Sequence, residues 1–139
     1  MCGSDAGPKE NHRWPDIRTI MDSVGAGIAA VDEARLLDNM GGSREILIEA
    51  SQVFLDDVGT MLVSLKDAAQ SGSAHKIERA AHLIKGALLS MAAPRAVELA
   101  ASIEKRARAG ETAFGDAIDA FSDEVARVGA AIAHIVSAG

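Results

Sequence analysis

Aromatic residues, cysteine and proline are all scarce in this chain. Of its 139 residues, 3% are aromatic, none is tyrosine, three are proline and one is cysteine. Because β-sheets favour aromatic and β-branched residues, this composition predicts close-packed helices. The single cysteine, Cys2, excludes an internal disulfide and indicates a reducing compartment, so we expect a cytoplasmic protein.

Long apolar runs and an excess of positive charge are also missing. No uncharged run approaches the roughly 20 residues of a membrane span, and the N-terminus has no apolar signal-peptide core. The formal charge of −6 disfavours nucleic acid or an anionic membrane as the partner. With 48% hydrophobic residues, the chain is large enough to bury one core without metals or disulfides. We expect one soluble domain and a monomer.

Glycine, proline and serine divide the chain into predicted helices. Residues 1–13 lack periodicity and are predicted to form a flexible tail, followed by a helical domain over 14–139. Short helices are predicted over about 15–24 and 30–40, and longer ones over about 43–70, 73–93, 94–109 and 112–136. Short turns join the long helices, which predicts an all-α fold. The expected architecture is an up-down-up-down antiparallel four-helix bundle with one or two short N-terminal helices packed on it.

Apolar side chains recur at steps of three and four along the first and last long helices, which predicts one buried face on each. In the first they are Ile46, Ala50, Val53, Phe54, Met61, Leu65 and Ala68. In the last they are Phe114, Ile118, Phe121, Val125, Val128, Ile132 and Ile135.

The segment around His82 combines a histidine, a lysine and a glycine within one predicted helix. At about 100° per residue, the apolar positions fall within about 40° of one line, which must face the core. These positions are Ile77, Ala81, Ile84, Leu88 and Met91. His82 lies about 140° from that line, and Gly86 lies almost opposite it. His75, Arg79 and Leu89 share the outward face, with Lys85 on its flank.

This grouping suggests phosphoryl transfer. A neutral imidazole is a nucleophile, and a phosphoryl group on its nitrogen remains a good donor. We expect Lys85 to favour the neutral form of His82 and to neutralise phosphoryl oxygens. Gly86 leaves the backbone bare for a partner, and His75, Arg79 and Leu89 are candidates for the docking surface. The chain shows no carboxylate cluster for a metal, so a divalent cation would come from the partner.

These residues resemble the histidine-containing phosphotransfer (HPt) family of phosphorelays. The resemblance covers roughly residues 28 to 136. It rests on Ala81-His82-Leu83-Ile84-Lys85-Gly86, Leu36-Leu37 with Gly41-Gly42, Phe54, and Ile103-Glu104. It implies that His82 accepts a phosphoryl group from a receiver-domain aspartyl phosphate and passes it to another receiver. Receiver domains or a hybrid histidine kinase would be the partners. The chain would need no cofactor of its own, Mg²⁺ would sit on the receiver, and no autokinase activity is expected.

Two positions depart from the family pattern. Ala87 replaces a small hydroxyl residue that often follows the glycine, and Met91-Ala92-Ala93 stands where a Leu-Gly-Ala-like turn is usual. The first removes a hydrogen bond near the phosphoryl group, and the second affects helix packing more than chemistry.

Two other functions fit the sequence less well. A non-phosphorylated adaptor of the same fold would bind a receiver or kinase without carrying phosphate, but such adaptors typically lack the nucleophile. A di-iron bundle needs inward-facing Glu-x-x-His pairs, whereas Glu78 and His82 are four apart. The donor kinase, the acceptor, the direction of flow and whether the chain is free-standing or part of a larger kinase stay open.

Overall fold

The structure is a computed structural model that describes residues 29–138, and this part of the chain contains helices and no strands. The helices are α1 (Glu33–Asn39), α2 (Arg44–Ser71), α3 (Ala74–Ser90), α4 (Pro94–Arg108) and α5 (Gly115–Ala138). The predicted all-α fold is confirmed. The predicted helix over about 15–24 and the tail over 1–13 lie outside the described residues.

Each of the first three helices begins at a side chain that caps it. Asp32, Ser43 and Ser73 accept hydrogen bonds from the backbone N–H groups three residues later, which satisfies donors that have no partner inside the helix. Pro94 opens α4 as its first residue, where its missing N–H costs nothing. The helix starts predicted at about residues 43, 73 and 94 are therefore confirmed.

The four long helices pack in a ring, with α2 against α3, α3 against α4, α4 against α5 and α5 back against α2. Neighbours run antiparallel. The guanidinium of Arg44, at the start of α2, donates to the carbonyl of Ile135 near the end of α5 at 2.7 Å. Arg108, the last residue of α4, reaches Glu78 in the first turns of α3. These contacts establish the up-down-up-down arrangement.

Helix α1 lies on the end of the bundle where α3 stops. The backbone N–H of Asp32 donates to the carbonyl of Ala92 at 2.8 Å, and the side-chain amide of Asn39 donates to the carbonyl of Ser90 at 3.2 Å. Leu36, a residue of α1, is fully buried. One predicted short N-terminal helix is thus packed on the bundle as expected.

Two predicted helices begin three residues too early. The helix predicted from Ala30 starts at Glu33, because Asp32 caps it while Ala30 and Val31 are buried outside it. The helix predicted from about residue 112 starts at Gly115, and the carbonyl of Phe114 accepts its first backbone hydrogen bond, from Ile118. In both cases buried apolar residues just before a helix extended the apparent periodicity.

The predicted buried face of α5 is confirmed along its whole length, but that of α2 is partly wrong. Ile46 and Val53 are 49% and 59% exposed, whereas the neighbouring Leu47 and Ser51 are buried. On the helix, Ile46 and Val53 project about 100° or more from the line through Leu47, Phe54 and Leu65. The core face of α2 is thus narrower than its apolar residues suggested.

The turn between α3 and α4 places an alanine in a conformation that favours glycine. Ala92 has φ +56°, its N–H donates to Leu89, and the N–H of Ala93 donates to Leu88. These two bonds form a Schellman motif, in which the left-handed position is usually glycine. This is the departure noted at Met91-Ala92-Ala93, and its consequence is backbone strain of about 1–2 kcal/mol.

We expect Ala92→Gly to relieve this strain, offset in part by the loss of a buried methyl worth about 0.8 kcal/mol. Ala93→Gly is the matched control, since Ala93 is equally buried but has an ordinary φ of −111°. Denaturant unfolding should show the Ala92 variant about 1–2 kcal/mol more stable than the Ala93 variant. Equal losses in both would mean that the turn stores no strain.

Candidate functional site

His82 lies in the middle of α3 and faces solvent. Its side chain is 70% exposed, whereas Ile77, Ala81, Ile84 and Leu88 on the opposite side of the helix are fully buried. The outward direction predicted from the helical periodicity is confirmed. An exposed imidazole on a rigid helix is accessible to a second protein while its backbone stays fixed.

The imidazole contacts a buried carboxylate on the next helix. Nδ1 of His82 lies 2.8 Å from Oε2 of Glu104, and Glu104 is only 4% exposed. Glu104 belongs to the core-facing side of α4, together with Ala100, Ile103 and Ala107. A glutamate on such a face needs polar partners, because an unpaired buried charge is costly.

Lys85 supplies one of these partners. Its ammonium lies 2.6 Å from Oε1 of Glu104, and its side chain is 25% exposed. The hydrogen bond from Lys85 lowers the pKa of Glu104 below its ordinary value; burial opposes this, and the hydrogen bond from His82 adds to it. Glu104 is therefore ionised at neutral pH. The sequence interpretation placed Lys85 beside His82, but the structure puts the carboxylate of Glu104 between them.

The ionised carboxylate determines which imidazole nitrogen is free. A carboxylate only accepts hydrogen bonds, so Nδ1 of His82 carries a hydrogen and donates it to Glu104. In the neutral imidazole the lone pair is then on Nε2. Glu104 therefore presents Nε2 as the nucleophilic atom at the surface.

Arg108 completes the network from the end of α4. Its Nε donates to Oε2 of Glu78 at 2.9 Å, and its Nη2 donates to Oε2 of Glu104 at 3.0 Å. Glu78 precedes His82 by one helical turn. The hydrogen bond to Glu78 raises the pKa of Arg108, with Glu104 contributing in the same direction. Two carboxylates and two cations thus form one ion-pair network, which contacts the imidazole through Glu104.

The residues predicted for docking lie on one exposed surface of α3. An open groove of about 620 Å³ runs beside His82 and includes His75 and Arg79 in its lining. Gly86 and Leu89 do not line this groove; they lie further along the same helix and are exposed, Leu89 by 54%. A Cβ built on Gly86 would meet nothing within 4 Å, so the surface above it is open.

Five residues that line this groove were not predicted as site residues. They are Glu78, Ala80, Leu83, Glu104 and Arg108. Glu104 could have been found from the sequence, since a charged residue there falls among apolar positions at steps of three and four on α4. Leu83 is 66% exposed beside His82 and carried a weaker signal. No signal in the sequence pointed to the ion pair between Glu78 and Arg108, 30 residues apart.

Between residues 29 and 138, no three histidine, cysteine, aspartate or glutamate side chains are grouped so that they could hold a metal ion. In the same part of the chain, none of the helices is long and apolar enough to cross a membrane.

Comparison with known families agrees with this geometry. Residues 49–131, more than half of the chain, match the profile of the Hpt domain. The chain belongs to the Hpt domain family. Hpt domains are phosphocarriers rather than enzymes, and they interact with receiver domains in phosphorelays. The matched residues of this Hpt domain include His82, Lys85, Glu104 and Arg108. No curated protein and no solved structure matches the chain.

Because Glu104 is paired in the folded state, this Hpt domain is expected to lose stability at acidic pH. Because folding lowers the pKa of Glu104, the ionised carboxylate stabilises the fold fully above its ordinary pKa of about 4.5, and this stabilisation is lost as the pH falls through the lowered value. We expect Glu104→Gln to lower the free energy of unfolding at neutral pH by about 1–3 kcal/mol. The variant should also lose less stability than the wild type between about pH 5 and pH 3.

Denaturant unfolding over this pH range measures both effects. Glu98→Gln is the control, because Glu98 is exposed on the same helix and forms none of the ion pairs among residues 29–138. If Glu104→Gln lost as much stability as the wild type between about pH 5 and pH 3, this result would contradict the assigned ionisation of Glu104.

Proposed function

We propose that this Hpt domain is a phosphocarrier of a bacterial two-component phosphorelay. Nε2 of His82 accepts a phosphoryl group from an aspartyl phosphate on one receiver domain and passes it to another receiver. The observation that carries the proposal is the exposed imidazole whose Nδ1 is held by the buried carboxylate of Glu104. The chain itself needs neither a cofactor nor an autokinase activity for this role.

The transfer step follows from the hydrogen bond at Nδ1. The lone pair on Nε2 forms a bond to phosphorus while the bond from phosphorus to the receiver's aspartate oxygen breaks, and the aspartate leaves as a carboxylate. Nε2 has no proton to lose, so no general base is needed. Positive charge develops on the ring, and the carboxylate of Glu104 stabilises it through the Nδ1–H hydrogen bond. The reverse of these steps returns the group to a receiver.

Lys85 has a double role in this proposal. Its ammonium keeps Glu104 ionised through the contact at 2.6 Å. Its place one turn from His82 also provides positive charge close to the phosphoryl oxygens. The divalent cation that phosphoryl transfer requires, Mg²⁺, is proposed to sit on the receiver domain.

The docking surface surrounds His82 on α3. Two exposed apolar side chains lie near the histidine on α3, Leu83 next to it in the sequence at 66% exposure and Leu89 two turns further along at 54%. Arg79 and His75 add cationic and polar groups on one side, and Gly86 leaves the backbone bare on the other. An apolar surface with a charged rim suits a transient protein partner, which we propose to be a receiver domain.

The proposal predicts that phosphorylated receiver domains transfer label to the wild type and not to His82→Gln. The label should be stable in base and labile in acid, as a phosphoramidate is. His134→Gln is the control, since it removes another exposed histidine near the end of α5 and should keep the full label. Binding of a receiver without any label would instead favour the non-phosphorylated adaptor.

A substitution at Gly86 separates partner approach from folding. Gly86→Ala should raise the free energy of unfolding by about 1 kcal/mol, because alanine is the better helix former and the added methyl meets no atom within 4 Å. The same methyl stands where the receiver approaches, so transfer should slow by about tenfold or more.

Gly59→Ala provides the matched control for this substitution. Gly59 is also exposed inside a helix, α2, and its added methyl also meets nothing within 4 Å. Its variant should gain stability and transfer at the wild-type rate. Equal transfer rates for both variants would show that the receiver does not contact the backbone at Gly86.

A further inference from the structure

The outer face of α2 combines exposed apolar side chains with carboxylates. Ile46, Val53 and Val63 are 49%, 59% and 57% exposed. On the helix, these residues and the five carboxylates of α2 fall within an arc of about 120°, which we call the outer face of α2. The carboxylates, all exposed, are Glu45, Glu49, Asp56, Asp57 and Asp67. Within residues 29–138, none of the five forms an ion pair.

The two cations of α2 lie away from its outer face. Arg44 donates to the carbonyl of Ile135 on α5, and Lys66 projects about 140° from Val53 around the helix. The outer face is therefore apolar and negatively charged. It suits a partner with an apolar stripe and cations at its edge. A second copy of the same face would meet it with like charges, which disfavours self-association.

Residues 14–24 carry an apolar stripe of matching length. Ile17, Met21 and Val24 recur at steps of four and three, so they share one side of the short helix predicted there. Trp14 stands at the start of that helix. A helix of about ten residues is about 15 Å long, which is enough to cover the two turns of α2 between Ile46 and Val53.

The charges of the same segment complement those of α2. Arg13 precedes the segment, and on a helix Arg18 lies at the edge of the apolar stripe, about 60° from Met21. Asp16 and Asp22 fall about 100° or more from the middle of the stripe. A segment that lays its stripe on the outer face of α2 thus brings arginine towards the carboxylates of α2 and keeps its own carboxylates away.

The chain enters the bundle at the end where α2 begins. The backbone N–H of Asp32 donates to the carbonyl of Ala92 between α3 and α4, and antiparallel packing puts the start of α2 at this end. The seven residues of α1, about 10 Å long, separate the two points. Residues 25–29 can extend about 17 Å, so the segment before them can reach Ile46 and Val53.

We propose that residues 14–24 dock as a helix on the outer face of α2, over Ile46 and Val53. The contact removes two apolar surfaces from water and places Arg18 beside the carboxylates of α2. Val63 lies ten residues beyond Val53, about 15 Å along the helix, and stays uncovered. This interaction within the chain does not depend on the proposed phosphocarrier function.

The fluorescence of Trp14 tests the proposal in the full chain, because Trp14 is its only tryptophan. In the folded wild type, emission should lie at shorter wavelength, and quenching by acrylamide should be weaker, than in the urea-unfolded chain. The reason is that docking removes the indole from water. Val53→Lys should move both values close to those of the unfolded chain, with helix content by circular dichroism unchanged.

Val63→Lys is the matched control. It makes the same substitution on the same helix at a residue of similar exposure, and Trp14 should keep its wild-type emission. Equal release of Trp14 in both variants would overturn the docking position, since the effect would then be one of charge on α2. A wild type whose Trp14 is as accessible as in the unfolded chain would overturn the proposal and leave the outer face to another protein.

Two further measurements test the charges and the identity of the partner. Arg18→Glu should release Trp14, whereas Lys9→Glu, the same change of charge outside the segment, should not. Equal emission in these two variants would overturn the role of Arg18. Dilution of the wild type should leave the emission unchanged, because segment and face belong to one chain. A shift on dilution would assign the face to a second copy and overturn docking within the chain.

Discussion

The ionised carboxylate of Glu104 is the contact on which the site depends. Burying a charge costs several kcal/mol unless it is well paired, and Glu104 is 4% exposed. Its partners Lys85 and His82 come from α3, so it is satisfied only when α3 and α4 pack in one register. The buried stripes of the two helices provide that register. The hydrophobic core and the polar site therefore constrain each other.

The turn between α3 and α4 fixes the same register from the other end. It contains only Met91, Ala92 and Ala93, all buried, and a Schellman motif closes it. Glu104 lies ten residues beyond the first residue of α4, and His82 eight residues before the last of α3. With so short a connection, antiparallel helices bring these two positions to about the same height. The strained Ala92 thus belongs to the geometry that positions the imidazole.

Features that depend on a single helix could be predicted from the sequence, whereas side-chain contacts between two helices could not. The outward direction of His82 and the buried face of α5 follow from a period of 3.6 residues, which needs no knowledge of neighbours. The pairing of Glu104 with His82 depends on the distance between two helices, which turn length and side-chain packing decide. Exposure of Ile46 and Val53 was missed for a related reason, because burial depends on where the neighbouring helices lie and not on hydrophobicity alone.

A phosphocarrier must release the phosphoryl group as readily as it accepts it, and the charges around His82 are compatible with both steps. The hydrogen bond from Nδ1 to Glu104 can persist whether Nε2 is free or phosphorylated, so the proposed transfer requires little rearrangement in this chain. Two cations, Lys85 and Arg108, balance two carboxylates, Glu78 and Glu104. An excess of cations would trap the phosphoryl group, and an excess of carboxylates would repel it. In the proposed relay, this near balance of charge would leave the direction of transfer to the receiver domains.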